Sequence, residues 1–187
     1  MRSTSSFIFL TFALLLTGAA AQAQIIFDRP KTEPPLDNPY TLNVPRAEVI
    51  KGLREVLQTC ATQINQQSSK PEDGQFVTQP VVFSKGVNTR TDIEHVATLL
   101  ASDVHNWLRG RYYLEIRALP LDEKRSQLTI VAHIQGQLAD VTGAKWVDLQ
   151  SNGMLEDEAL RGLASKVLGV EMGLKKGAPR RLMSCEY

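Results

Sequence analysis

Two stretches near the middle of the chain, RYYLEIRAL over residues 111–119 and SQLTIVAHIQGQL over 126–138, alternate apolar and polar residues and are separated only by the connection 120–125. A period of two sends successive side chains to opposite sides of a strand, and so short a link makes the two strands antiparallel neighbours. The pattern assigns both faces. Tyr112, Leu114, Ile116 and Ala118 lie on one side with Leu128, Ile130, Ala132, Ile134 and Leu138; Tyr113, Glu115 and Arg117 lie on the other with Thr129, Val131, His133 and Gln135. The first face needs a covering layer, and the second is the mixed surface of an antiparallel sheet buried on one side only.

The covering layer is legible in the flanking sequence. Val49, Ile50, Leu53, Val56, Leu57, Cys60, Ala61 and Ile64 fall on one helical stripe after Pro45, predicting a helix over 46–65. Ile93, Val96, Ala97, Leu100, Val104, Trp107 and Leu108 predict a second over 92–109, closed by Gly110. Ser151 and Asn152 cap a third, with Glu156, Asp157 and Glu158 in its first turn, Lys166 in its last and Gly169 at its stop. QFVTQPVVF from 75 reads as a strand kept to an edge by Pro80, and GAKWVDL over 143–149 as another. The expected fold class is α+β: a small antiparallel sheet of about four strands with helices packed on one face.

The domain expected over 46–170 is flanked by different material. Residues 1–23 carry Arg2, the apolar run FIFLTFALLL and the ending TGAAAQA, the pattern of a secretory signal peptide cut after Ala23. The apolar run is too short to span a bilayer, and no Cys follows it to take a lipid, so a periplasmic or secreted protein without a stable membrane anchor is expected. Residues 24–45 hold prolines at 30, 34, 35, 39 and 45 and read as an extended arm, either a spacer or a segment that docks on a partner. Residues 171–187 form a tail with Lys175, Lys176, Arg180 and Arg181. Export to an oxidising compartment makes a disulfide between the two cysteines, Cys60 and Cys185, the first expectation, with a buried thiol at Cys60 as the alternative. The chain has 21 Lys and Arg against 20 Asp and Glu, and loss of Arg2 with the leader balances them. That balance argues against a nucleic-acid binder working through bulk charge.

Residue patterns that could carry catalysis are few. His95, His105 and His133 form no HExxH or His-x-His pair, and no metal site, cofactor loop or GxSxG nucleophile is expected. On a continuous helix, His95 and His105 would point about 280° apart. Asp122 and Glu123 read as turn residues, and Glu156 to Glu158 as a helix first turn. Glu115 and Arg117, beside Tyr113 and His133, are the convergent polar group. With Trp146, whose strand register the sequence leaves open between the two faces, Tyr113, Arg117 and His133 are the candidate binding face, because Tyr, Trp and Arg most often anchor interfaces.

The order of helix, DGQFVTQP strand, RYYLEIR and SQLTIVAH strands and SNGMLEDEALRGLASKV helix resembles the helix-grip domains of BamC-type outer-membrane assembly proteins. The resemblance covers residues 46–169 as a pattern of elements; this chain lacks the lipid-bearing Cys and inserts a second helix. It implies a non-enzymatic envelope protein that binds another envelope protein. A carrier of a small apolar ligand in a cavity between sheet and helix and an envelope enzyme are the alternatives.

Overall fold

The computed structural model describes residues 34–59, 63–140 and 143–169. The expected leader at 1–23, both members of the expected Cys60–Cys185 bond and the basic tail at 171–187 lie outside the described residues. In chain order the elements are β1 (Tyr40–Leu42), α1 (Arg46–Thr59), a 3₁₀ turn (Pro71–Asp73), β2 (Gln75–Val77), β3 (Val81–Lys85), α2 (Thr89–Val96), β4 (Ala97–Thr98), β5 (Trp107–Pro120), β6 (Ser126–Asp140), β7 (Gly143–Ser151) and α3 (Met154–Leu168). The fold class is α+β, and every strand pairing is antiparallel.

Among the described residues the sheet has seven strands, not about four. The excess has a simple origin. β5 and β6 form a long hairpin, in one register from Arg109 opposite Gln137 to Pro120 opposite Ser126, with a shift before Arg109 that sets Trp107 opposite Leu138. Each side of that hairpin is then occupied by two short strands placed end to end. β3 and β2 share the outer side of β5, while β1 and β7 share the outer side of β6. β4 adds a two-residue edge against the end of β7.

Both junctions between end-to-end strands are closed by side chains. Pro80, which has no N–H to give a ladder, separates β2 from β3. There Thr78 donates its N–H to the Leu114 carbonyl at 2.9 Å and accepts the Leu114 N–H on Oγ1 at 2.8 Å. Between β1 and β7, the Asn38 amide serves Ile130 and Glu156 Oε1 accepts the Ala132 N–H at 3.2 Å.

The alternation expected in the hairpin is observed: Tyr112, Leu114, Ile116, Ala118, Leu128, Ile130 and Ile134 are at most 1% exposed. They join Val49, Leu53, Val56 and Leu57 of α1, Ile93 and Val96 of α2, and Leu155, Leu160 and Leu163 of α3 in one core. α1 and α3 approach closely at Gly52, where a Cβ would sit 2.9 Å from Val167 Cγ2.

Three expectations are corrected. The first helix does not reach 65: Ile64 bridges Thr78, with Asn65 N–H bonded to the Val77 carbonyl at 2.8 Å, so this apolar residue serves the sheet edge. The second helix stops at Val96; Leu100 and Val104, which looked like its apolar stripe, are 76% and 91% exposed. Trp107 instead opens β5, and its ring lies over Gly136, where a Cβ would be 2.2 Å away. The helical spacing of these residues was real, but the strand pairings of Ala97 with Ser151 and of Trp107 with Leu138 override it. The third correction concerns the arm. Its described part, 34–45, is extended but packed into the domain: β1 pairs with β6, Leu42 is 1% exposed, and Leu36 N–H donates to Asp157 Oδ1 at 2.8 Å. Arg161, 5% exposed, bonds the Pro34 carbonyl at 2.7 Å and Asp157 at 3.0 Å.

Candidate functional site

The polar side of the sheet follows from the hairpin register. Tyr113 lies opposite His133, Glu115 opposite Val131 and Arg117 opposite Thr129, so their side chains project together away from the core. Their contacts organise them further. The Tyr113 and His133 rings are stacked, with centroids 4.5 Å apart and planes 8° from parallel. Arg117 donates from Nε and Nη2 to Glu115 Oε1 at 2.9 and 2.5 Å, and His133 Nε2 lies 3.5 Å from Glu115 Oε2. The Arg117 guanidinium holds the Glu115 carboxyl below its ordinary range; partial burial opposes this and His133 reinforces it. Glu115 is therefore a carboxylate engaged at both oxygens, which fixes the surface but leaves it poorly placed to take a proton from a substrate.

Tyr113, Glu115 and His133 line a groove of about 390 Å³, and Asn65, Ser68, Val77, Thr78 and Pro80 supply the rest of its wall. The 63–68 segment is itself held by Asn65 Oδ1, which accepts the N–H groups of Gln67 and Ser68 at 3.1 and 3.3 Å. Sequence reasoning missed this wall because it assigned Ile64 and Asn65 to the end of a helix.

Trp146 is on the polar side. It stands opposite Gln137, on the parity of His133 and Gln135, while Val147 and Leu149 pack toward the core. It does not join the Tyr113 cluster. Instead Arg111 Cζ lies 4.0 Å from its ring centroid, Arg111 Nε donates to Gln135 Oε1 at 2.7 Å, and Gln135 Nε2 donates to Asp148 Oδ1 at 2.7 Å. The four candidate residues thus share one face but form two clusters: Tyr113, His133 and Arg117 around Glu115, and Trp146 with Arg111. Arg111 was missed, although it has the same strand parity as Tyr113.

Asp103, His105, Asp122, Glu156 and Asp157 have structural partners. His105 lies in the 99–106 loop, not on a helix; its N–H and Nδ1 meet Asp103 Oδ1 at 2.8 and 2.7 Å, and Trp107 Nε1 donates to Oδ2 at 3.1 Å. Burial pushes the Asp103 carboxyl up, but these bonds together leave it below its usual value. Arg90 also bonds the Asp103 carbonyl, so the loop is stapled to α2. Asp122 closes the hairpin turn by accepting the Lys124 and Arg125 N–H groups, and Arg125 lowers its pKa. Glu156 bonds Ala132 of β6 and Ser151 of β7, and Asp157 holds Leu36 and Arg161, so the two do not form a reactive pair. Among the described residues, no group of three or more His, Cys, Asp or Glu side chains is placed to hold a metal ion. No protein-family model, curated protein or solved structure matches the chain.

Proposed function

We propose that this chain is an exported envelope protein that binds another protein through the open side of its sheet, acting as a recognition or assembly module without a catalytic step. The observation that carries the reading is the ordered array on that side: Tyr113 stacked on His133, and Glu115 clamped between His133 and Arg117. Aromatic and Arg side chains already held in place lose little freedom on binding, which is the property of interface anchors. Helices gathered on one side of an antiparallel sheet support the helix-grip description, and the signal-peptide pattern at 1–23 supports export. The order of elements behind the BamC-type resemblance supports a partner in the same compartment.

The test is to capture a partner from envelope extract with the purified chain and then replace Tyr113 and Arg117 together by Ala. Neither side chain contributes to the core, so the fold should survive. Affinity should fall by about 2 kcal/mol or more, roughly thirtyfold. Unchanged affinity with an intact fold would place the interface elsewhere, on the proline-rich arm or the basic tail.

A further inference from the structure

The end of the open face away from Arg117 concentrates positive charge. Lys85 of β3 stands directly opposite Arg109 of β5, and both are exposed. Like charges facing each other across a strand pair are destabilising, and neither residue has an ion-pair partner among the described residues. Arg111 follows two residues along the same strand. Its guanidinium is pinned by the Trp146 ring at 4.0 Å and by Gln135 at Nε, and neither Nη group makes a hydrogen bond or ion pair among the described residues. Asp148, on β7 two strands away, accepts the Gln135 amide on Oδ1.

We infer that Lys85, Arg109 and Arg111 form a docking site for an acidic segment of a protein partner, with the Arg111 fork receiving a carboxylate. This rests on the partner-binding reading above and names the partner's chemistry. Three considerations select carboxylates. A guanidinium fixed in one plane with both Nη groups available matches the two oxygens of a carboxylate. The facing Lys85 and Arg109 supply charge complementary to further acids along an extended chain. Stacking of nucleotide bases needs open aromatic faces, whereas Trp146 is covered by Arg111 and Tyr113 by His133.

The experiment is fluorescence anisotropy of a fluorescein-labelled hexaglutamate peptide titrated with the purified chain at low salt, with oligothymidylate and inorganic phosphate as competitors. Saturable binding is expected, weakening severalfold as salt is raised to several times physiological strength. Lys85→Gln with Arg109→Gln should weaken it about tenfold. Arg111→Lys, which keeps the charge but removes the planar fork, should weaken it about threefold or more. Circular dichroism and the melting temperature of each variant would confirm an intact fold. Absence of saturable binding at millimolar peptide, equal binding by all variants, or displacement by oligothymidylate at lower concentration than by unlabelled hexaglutamate would each overturn the inference. The two readings fail separately: a captured partner that is lost with Tyr113→Ala and Arg117→Ala but kept by the Lys85, Arg109 and Arg111 variants would retain the partner reading and remove the acidic site.

Discussion

The side-chain amide of Asn38 occupies the place of a strand residue beside Ile130. Its Nδ2 donates to the Ile130 carbonyl at 2.6 Å and its Oδ1 accepts the Ile130 N–H at 3.1 Å. This continues the hydrogen-bonding edge of β6 past the end of β1, just where the chain turns away so that Leu36 can reach Asp157 on α3. Thr78 does the same for Leu114 on the other side of the hairpin. The central hairpin is therefore kept continuous by two short polar side chains as well as by backbone pairing.

Asn38→Ala should destabilise the protein by about 1–3 kcal/mol, since it leaves two partly buried backbone groups without partners. Thr78→Val, at a position 1% exposed, should cost a similar amount by orphaning the Leu114 N–H. Urea denaturation monitored by circular dichroism measures both. Midpoints equal to the parent's would show that water replaces these bonds.

Gly110 and Gly136 face each other across β5 and β6, and the rings of Phe83 and Trp107 lie over them. A Cβ at Gly136 would come within 2.2 Å of the Trp107 ring. Gly136→Ala should therefore displace Trp107 and cost about 1–3 kcal/mol, the usual range for overpacking. The expected signs are a lower melting temperature and a changed tryptophan emission. An unaltered spectrum and melt would mean that the ring moves aside freely.

The lowered pKa of Glu115 ties stability to pH. A carboxyl whose folded pKa lies below its unfolded value contributes stability above the unfolded pKa, about 4.3, and loses it as pH falls through the folded pKa. Glu115→Gln should thus lower stability at neutral pH, by at most about 1 kcal/mol for so accessible a pair. The gap should close in acid as the parent loses the interaction. Melting temperatures of the two proteins from neutral pH into acid would show this convergence; parallel curves would indicate that Arg117 adds nothing to the fold.

The sequence by itself determined the parts of this protein that repeat locally. Alternation in 111–119 and 126–138 specified the hairpin, its two faces and the placement of Tyr113, Arg117 and His133 on the polar one, because a strand's side-chain period is two whatever surrounds it. The charge order of α3 and its Gly169 stop were legible for the same kind of reason. Only the tertiary structure decided what depends on distant partners. Ala97 and Trp107 sit at helical spacing, yet β7 and β6 draw them into the sheet. The register of β7 put Trp146 on the polar side, and Asn38 became part of the sheet through a residue 92 positions away. The pairing of Trp146 with Arg111 and the groove wall at Asn65 arise in the same way. Such contacts are set by where separate elements meet in space, and the free energy of each is small against the packing that brings them together, so no local pattern in the chain records them.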